Sequence, residues 1–466
     1  MYTVAMLNVW SLFESEARTA KLVSRTAVAG ILLAVTAYPL FNHKTWTYAI
    51  EGNREFSRFV SGSVRGLLTV VGISDRRDVA RKEARLHVAA AELQGLPPRF
   101  WSGGSALFSG STMPPHIFIF VSDATTRTRM GVYGYERDNT PNLKVFAEES
   151  LLYSHFYSAS SATFQGVMAM FSGAYSGRRA LMGDDIRTRL CTGLHEKGYR
   201  LMMAGIGYDI FETGKHCAPA EKMSAEGHLP ADYDQIKKSL QSNPGQPHFV
   251  YQHVNGGHNP WQVAAEDEVY GKGKPDIYDA MLRVADRQFG DLIAFLKKEG
   301  IYDNSIVIFT ADHGIGLGFH MDKSSYSNLY AQNTDIPFVM KIPGVAARNV
   351  TGHYTHVDLL PGLAEILGFS VAGPVAGYGL GLSPASAAIP DRCVFSIAEY
   401  KNTVAMNCQD GKKMIWNVEE KILHIYGADD PLEVRDLIDD YSEREVVDLA
   451  RPLLEFVAAG RGTYIQ

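Results

Sequence analysis

The sequence predicts an α/β fold: a largely parallel central sheet flanked by helices, with a small C-terminal antiparallel subdomain. Three observations carry this. Apolar runs of strand length at 116–122, 199–206, 248–254 and 305–310 alternate with helix-length segments, the pattern of a parallel sheet. Residues 278–299 are the clearest helix, with Tyr278, Met281, Leu282, Ala285, Phe289, Leu292, Ile293 and Leu296 on one face and Lys297, Lys298 and Gly300 as stop signals. Beyond 391, four short strand-like runs at 393–398, 403–407, 413–417 and 421–426 are spaced as an antiparallel sheet.

Composition bounds what the chain can be. Its 466 residues, 46% hydrophobic and 21% charged, suit a globular protein of roughly two to three domains. A net charge of −6 argues against a nucleic-acid binder working through a basic surface. The four cysteines show no CxxC or CxxH spacing, so a thiolate zinc site is not predicted. Their even number permits two disulfides, Cys191–Cys217 and Cys393–Cys408, in an oxidising compartment.

Taken in order, residues 1–100 form an N-terminal segment. Its run 26–41 (TAVAGILLAVTAYPLF) has sixteen residues without a charge, slightly short of the roughly 20 that a spanning helix needs. A core helix and a cleaved signal peptide are alternatives; a membrane anchor fits best, because Arg18, Lys21 and Arg25 precede the run. Lys44, Arg54 and Arg58 follow it, so charge leaves the orientation open. Residues 45–98 read as polar helix, and 101–115 (WSGGSALFSGSTMPP) as a linker. A catalytic domain spans 116–370 and the antiparallel subdomain 371–466, whose 370–391 stretch is rich in small residues. Ser442 and Glu445 form a capping-box pattern that opens a helix to about 459.

The polar residues fall where an open α/β sheet places its ligands, just beyond the C-terminal ends of strands. Asp123, His253, His258, Asp312 and His313 all stand there. Each has an ordinary structural explanation, as a turn, cap or satisfied hydrogen-bonding residue. Together they suit a divalent ion such as Zn²⁺, Mn²⁺, Mg²⁺ or Ca²⁺, which lowers the pKa of a bound hydroxyl. The Ser/Thr cluster at 158–163 puts Thr163 at the start of a helix-length run, where a helix N-terminus favours an anionic substrate. N-capping by a Ser or Thr is the plainer alternative. The glycines at 314–318 (GIGLG) lack both the P-loop Gly-Lys-Ser/Thr and dinucleotide-loop spacing, so ATP and NAD are not implied. Asp286 on the long helix is read as structural; His353 and His356 receive no role.

From 116 to the C-terminus the sequence resembles the sulfatase-like branch of the alkaline phosphatase superfamily. The resemblance rests on Asp123 followed by 131–135 (GVYGY) and 140–143 (TPNL), on 257–261 (GHNPW), on 310–314 (TADHG) with His320, and on 356–361 (HVDLLP). It implies that the strand-end Asp123 and the Asp312–His313 pair bind metal, and that His258 faces the substrate or leaving group. His320, with His253 beside it, is assigned to substrate contacts. The departure is informative. Sulfatases carry a Cys or Ser that becomes formylglycine, with Pro and Arg after it; here Thr163, Gln165 and Val167 fill those positions. Threonine cannot become formylglycine.

A threonine nucleophile resembles instead the membrane-anchored phosphoethanolamine transferases and the lipoteichoic-acid-type phosphoglycerol transferases. That resemblance implies one divalent metal (Zn or Mn first, Ca or Mg next) held by Asp123, Thr163, Asp312 and His313. The implied reaction passes a phosphoryl head group from a phospholipid through a phosphothreonine to an envelope glycan or polyol. It implies a bacterial inner-membrane protein with its catalytic domain periplasmic or extracellular. Members of this group have several N-terminal spans, whereas a single one is visible here. A sulfate- or phosphate-ester hydrolase and an inactive metal- or polyanion-binding member are the alternatives.

Overall fold

The computed structural model describes residues 114–459 apart from 176–188, 206–216, 218–219, 224–232, 318–327, 383–391, 399–401 and 418–421, together with 82, 85, 86, 99 and 100. The apolar run 26–41, nearly all of the 101–115 linker and His320 lie outside the described residues. Those described belong to one unit, Arg77–Gln466.

A short strand, β1 (Arg99–Phe100), precedes the first long one, β2 (His116–Ser122). Then follow β3 (Leu151–Tyr157), β4 (Arg200–Gly205), β5 (Glu221–Lys222), β6 (His248–Val254), β7 (Ser305–Thr310), β8 (Asp335–Ile336), β9 (Phe338–Lys341) and β10 (Arg348–Thr355). They make one sheet in the order β10-β3-β9-β7-β2-β6-β4-β5, with β8 beside β3. Among these strands β8 and β9 run against the rest, so the sheet is largely parallel, as predicted. The apolar runs are continuous because both faces are covered. From β2, Ile117, Ile119 and Val121 enter one core and Phe118 and Phe120 the other; from β7, Ile306 and Ile308 oppose Val307 and Phe309.

Helices close both faces: α1 (Pro141–Ala147), α2 (Thr163–Ser172), α3 (Arg189–Glu196), α4 (Tyr233–Ser242), α5 (Lys274–Lys298) and α6 (Leu359–Leu367), while α7 (Glu443–Leu449) and α8 (Arg451–Ala459) pack in the C-terminal core. The apolar sides of α2, α3 and α6 fill the first core, and the stripe of α5 fills the second, where Phe289 packs edge-on against Phe120 and Phe309 at 5.5 and 5.1 Å. Helix α5 begins one turn before its apolar stripe. Gly273 is its extended N-cap, Pro275 lies in the first turn, and the Asp276 carboxylate accepts the Gly273 N–H at 3.2 Å.

The strand β11 (Pro374–Val375) pairs with β1. The last four strands, β12 (Cys393–Ala398), β13 (Thr403–Cys408), β14 (Lys413–Asn417) and β15 (Ile422–Tyr426), form an antiparallel meander in sequence order. Its core, with Trp416 fully buried, also takes in Leu86, and the Lys82 ammonium donates to the Ile438 carbonyl at 2.8 Å. Both disulfides form; Cys393 and Cys408 stand opposite each other on β12 and β13. Strand β12 also reaches the main domain: Ile397 N–H donates to the Ala159 carbonyl at 2.9 Å and Ser396 Oγ to the Ser158 carbonyl at 2.6 Å.

One prediction needs correction. The helix expected from Ser442 to about 459 opens on its capping box, Ser442 Oγ accepting the Glu445 N–H at 3.4 Å, but breaks at Ala450 into α7 and α8. Pro452 has no N–H to give the Asp448 carbonyl and disfavours helical backbone before it. Among the described residues no helix is long and apolar enough to cross a membrane.

Asp286 is structural, and its role is now specific. Its carboxylate accepts the N–H groups of Asn142 (3.0 Å) and Leu143 (2.8 Å) and the Asn142 amide (2.8 Å), capping α1 from α5. Replacing Asp286 by Ala strands these first-turn donors and is expected to cost about 1–3 kcal/mol, read as a lower urea midpoint at unchanged slope.

Candidate metal and nucleophile site

Four strand ends converge at one edge of the sheet. Asp123 follows β2, the Ser158–Thr163 loop follows β3, His253 is the penultimate residue of β6, and Asp312 and His313 follow β7. Asp123 is locked by its backbone, its N–H donating to the Val254 carbonyl at 2.9 Å and its carbonyl accepting from Gly257 at 2.7 Å. Ala124 takes a left-handed conformation (φ 53°), unusual for a residue with a side chain, and its N–H then donates to Asp312 Oδ1 at 3.1 Å. The His313 N–H meets the same oxygen at 2.8 Å. The Tyr278 hydroxyl, reaching in from α5, donates to the Ala124 carbonyl at 3.0 Å and accepts from Thr126 N–H at 2.9 Å. Gly256 permits the crossing of the two loops, since a Cβ there would stand 2.2 Å from Ser122 Oγ and 2.6 Å from the Asp123 carbonyl.

The side chains of Asp123, His253 and Asp312 are close enough together to be able to share a cation. His253 Nε2 lies 3.6 Å from Asp312 Oδ2 and 4.0 Å from Asp123 Oδ2. His313 Nε2 lies 3.7 Å from Asp123 Oδ1, 3.6 Å from Asp312 Oδ2 and 3.1 Å from Thr163 Oγ1. Two donors on one tetrahedral zinc stand roughly 3.3 Å apart, so these spacings are those of ligands around a common centre. Asp123 Oδ1 and Asp312 Oδ2 are buried and accept no hydrogen bond, which is costly unless a cation takes their place. His313 Nδ1 donates to the Gly314 carbonyl at 2.6 Å, which turns the Nε2 lone pair inward. The Tyr251 hydroxyl, 3.3 Å from His253 Nδ1, orients that ring similarly.

Electrostatics point the same way. Burial, and then the charge of Asp312, push the Asp123 carboxyl well above the usual carboxylate range. Burial works against Asp312 too, but His313, His253 and the N–H groups of Ala124 and His313 hold its carboxyl below that range. Two adjacent buried carboxylates do not both ionise without a compensating charge. The donor set, two carboxylates with imidazoles, suits Zn²⁺ or Mn²⁺ over an all-oxygen Ca²⁺ site.

Thr163 is the first residue of α2, with Ala162 as an extended N-cap whose side chain makes no cap hydrogen bond, and a helix N-terminus carries partial positive charge that favours an anion. Unlike the buried Asp and His side chains it is half-buried, within reach of solvent. Gly166 lets α2 come this close: a Cβ there would stand 2.2 Å from the Asp312 carbonyl oxygen.

The structure thus brings together Asp123, Thr163, Asp312 and His313 and adds His253, which the sequence reading gave to substrate; Asp123, His253 and Asp312 form a compact potential ligand group. His258 stands on the loop after β6, half-buried, with Nδ1 donating to the Asn259 carbonyl at 2.7 Å, which fixes the Nδ1–H tautomer. His320 lies outside the described residues. His356, given no role, is fully buried beside the Asp312 loop, its Nε2 donating to the Ala311 carbonyl at 2.9 Å. The register places His253 beside Val121, two residues before Asp123, and this brings it to the same strand end.

Residues 115–369 match the family model described as Sulfatase. An ulvan-active sulfatase of Formosa agariphila is 23% identical over 288 residues, covering 54% of this chain and 54% of its own. The inner membrane protein YejM of Salmonella typhimurium is 23% identical over 251 residues, covering 52% of this chain and 40% of its own. The chain therefore spans about half the length of the curated relatives it matches. Among solved structures, a phosphonate monoester hydrolase of Agrobacterium radiobacter superposes with a TM-score of 0.58 at 15% identity, over 74% of this chain and 95% of that one. An alkaline phosphatase superfamily protein of Vibrio parahaemolyticus gives 0.59 at 14%, over 84% and 96%. At these identities the likeness to solved structures is one of fold.

Two predictions follow from this geometry. After chelation, Zn²⁺ or Mn²⁺ at about 100 times its Kd should stabilise the protein by about 2.7 kcal/mol, a gain that Asp123→Asn or Asp312→Asn abolishes in a thermal melt. Gly166→Ala must push α2 off the Asp312 loop, and a shift of that kind is expected to lower turnover by about 100-fold with the fold retained by circular dichroism.

Proposed function

Because the chain belongs to the sulfatase family, we propose that it is a divalent-metal-dependent enzyme of phospho- or sulfo-ester chemistry with Thr163 as nucleophile. Its favoured reaction is transfer of a phosphoryl head group, phosphoethanolamine or phosphoglycerol, from a phospholipid to an envelope glycan or polyol. The observation that carries the reading is Thr163 Oγ1 standing 3.1 Å from His313 Nε2 at the N-terminus of α2. Asp123, Asp312, His313 and Thr163, with His253 in addition, would hold the ion. When bound, it supplies the Lewis acidity that makes the Thr163 hydroxyl a nucleophile near neutral pH.

The residues divide the work. Thr163 Oγ1 forms a bond to phosphorus as the bond from phosphorus to the leaving oxygen breaks, and the first N–H groups of α2 receive the charge on the non-bridging oxygens. We assign His258 Nε2 to protonate the leaving oxygen and then to take the proton of the acceptor hydroxyl, whose attack releases Thr163. His320 is assigned to the non-bridging oxygens. A threonine cannot supply formylglycine, which favours phosphoryl over sulfuryl transfer. Two disulfides fit a domain outside the cytoplasm, and the YejM relative is an inner membrane protein, which supports placement at a bacterial inner membrane. A second reading, hydrolysis of a sulfate or phosphate ester with water as acceptor, has the support of the ulvan-active sulfatase.

The test is intact-mass spectrometry of the metal-loaded protein with phosphatidylethanolamine, phosphatidylglycerol or an aryl phosphate, with Thr163→Ala as control. The expected result is an adduct mapped to Thr163, its mass naming the donor, and none on Thr163→Ala. Full turnover by Thr163→Ala would refute the nucleophile. Aryl-sulfate turnover without an adduct would favour the hydrolase.

A further inference from the structure

We infer that His356 is a positioning residue that holds the nucleophile loop against the Asp312 loop and so fixes Thr163 at working distance; the inference rests on the role proposed for Thr163. The ring lies fully buried just after β10, between the two segments. Its Nε2–H donates to the Ala311 carbonyl at 2.9 Å, one residue before Asp312. Its Nδ1 accepts the Ala159 N–H at 3.4 Å, four residues before Thr163, with Ser158 Oγ at 3.5 Å. One nitrogen gives and the other receives, so the ring is neutral and in a single tautomer. Burial agrees with this, drawing its pKa down to about 4.

Two further contacts tie the same segments at the same place. Ser158 Oγ donates to the Asp312 carbonyl at 2.6 Å, and a Cβ at Gly166 would stand 3.4 Å from His356 Cε1, so the ring also lies against α2. The hydrogen bonds of His356 go to backbone groups and Ser158, so it acts through the two loops. Removing it leaves a buried carbonyl on one loop and a buried N–H on the other without partners. The loops then lose the tie that sets their separation. His116 is a control of matched burial and similarly lowered pKa: it accepts the His248 N–H at 3.1 Å at the opposite ends of the strands.

The experiment compares His356→Leu, His356→Gln and His116→Leu in the full chain, at a temperature where circular dichroism shows each folded. The readouts are kcat and KM on an aryl phosphate and hydrogen exchange of the 157–164 peptide. His356→Leu should lower kcat by about 100-fold with KM changed less than about threefold, and speed exchange at 157–164. His356→Gln, whose amide reaches the Ala311 carbonyl, should recover about tenfold of that loss, whereas His116→Leu should lower Tm and leave kcat and exchange unchanged. A folded His356→Leu with wild-type kcat or wild-type exchange overturns the inference. If that variant does not fold, His356→Gln decides: with its amide at the Nε2 position it places no acceptor at the Nδ1 position that receives the Ala159 N–H, so wild-type exchange and kcat together would overturn the inference. Absence of any Thr163 adduct on the wild type would sink the proposed reaction instead, and exchange alone would then decide on His356.

Discussion

The structure is organised around the burial of two carboxylates side by side. Asp123 and Asp312 come from neighbouring strands of a parallel sheet and end within reach of the same two imidazoles. Such a pair is unfavourable in a protein interior without compensation. The compensation is built from backbone: the left-handed turn at Ala124, the N–H of His313, and the Tyr278 hydroxyl steadying the loop after β2. What those groups leave unsatisfied, Asp123 Oδ1 and Asp312 Oδ2, faces the place where a cation fits.

Thr163 meets this arrangement from the other side. The Asp and His side chains are buried, while Thr163 sits half-buried on the first turn of α2. Solvent can therefore reach the Thr163 hydroxyl while the two carboxylates stay covered. Proximity without burial needs a helix that packs unusually close, and Gly166 supplies it by having no Cβ to meet the Asp312 carbonyl.

Much of this was legible in the sequence because strands buried on both faces read as continuous apolar runs, so that a polar residue ending such a run stands out. Asp123, Asp312 and His313 stand out in this way, and Thr163 through the Ser/Thr cluster before a helix; the structure brings all four close together. His253 lies inside a strand, where a histidine is indistinguishable from a core residue until the register with β2 is known. His356 was harder still, because its partners at Ala311 and Ala159 are backbone groups 45 and 197 residues away, and no side-chain pattern marks them. The break at Ala450 follows from Pro452, a residue the capping box at Ser442 says nothing about and whose ring disfavours helical backbone before it.

The contact between β12 and the nucleophile loop has a consequence for biosynthesis. Ser396 and Ser158 are 238 residues apart, and the Ala159 carbonyl is met by Ile397. A chain emerging from the ribosome or a translocation channel completes β2, β3 and α2 long before the strand that pins their loop exists. Over that interval the carbonyls of Ser158 and Ala159 lack these partners, and the loop leading to Thr163 is unbraced on that side. The final packing of this loop is therefore deferred to the last part of the polypeptide, so that a product truncated before β12 would retain the acidic pair yet lack the brace on the Thr163 loop.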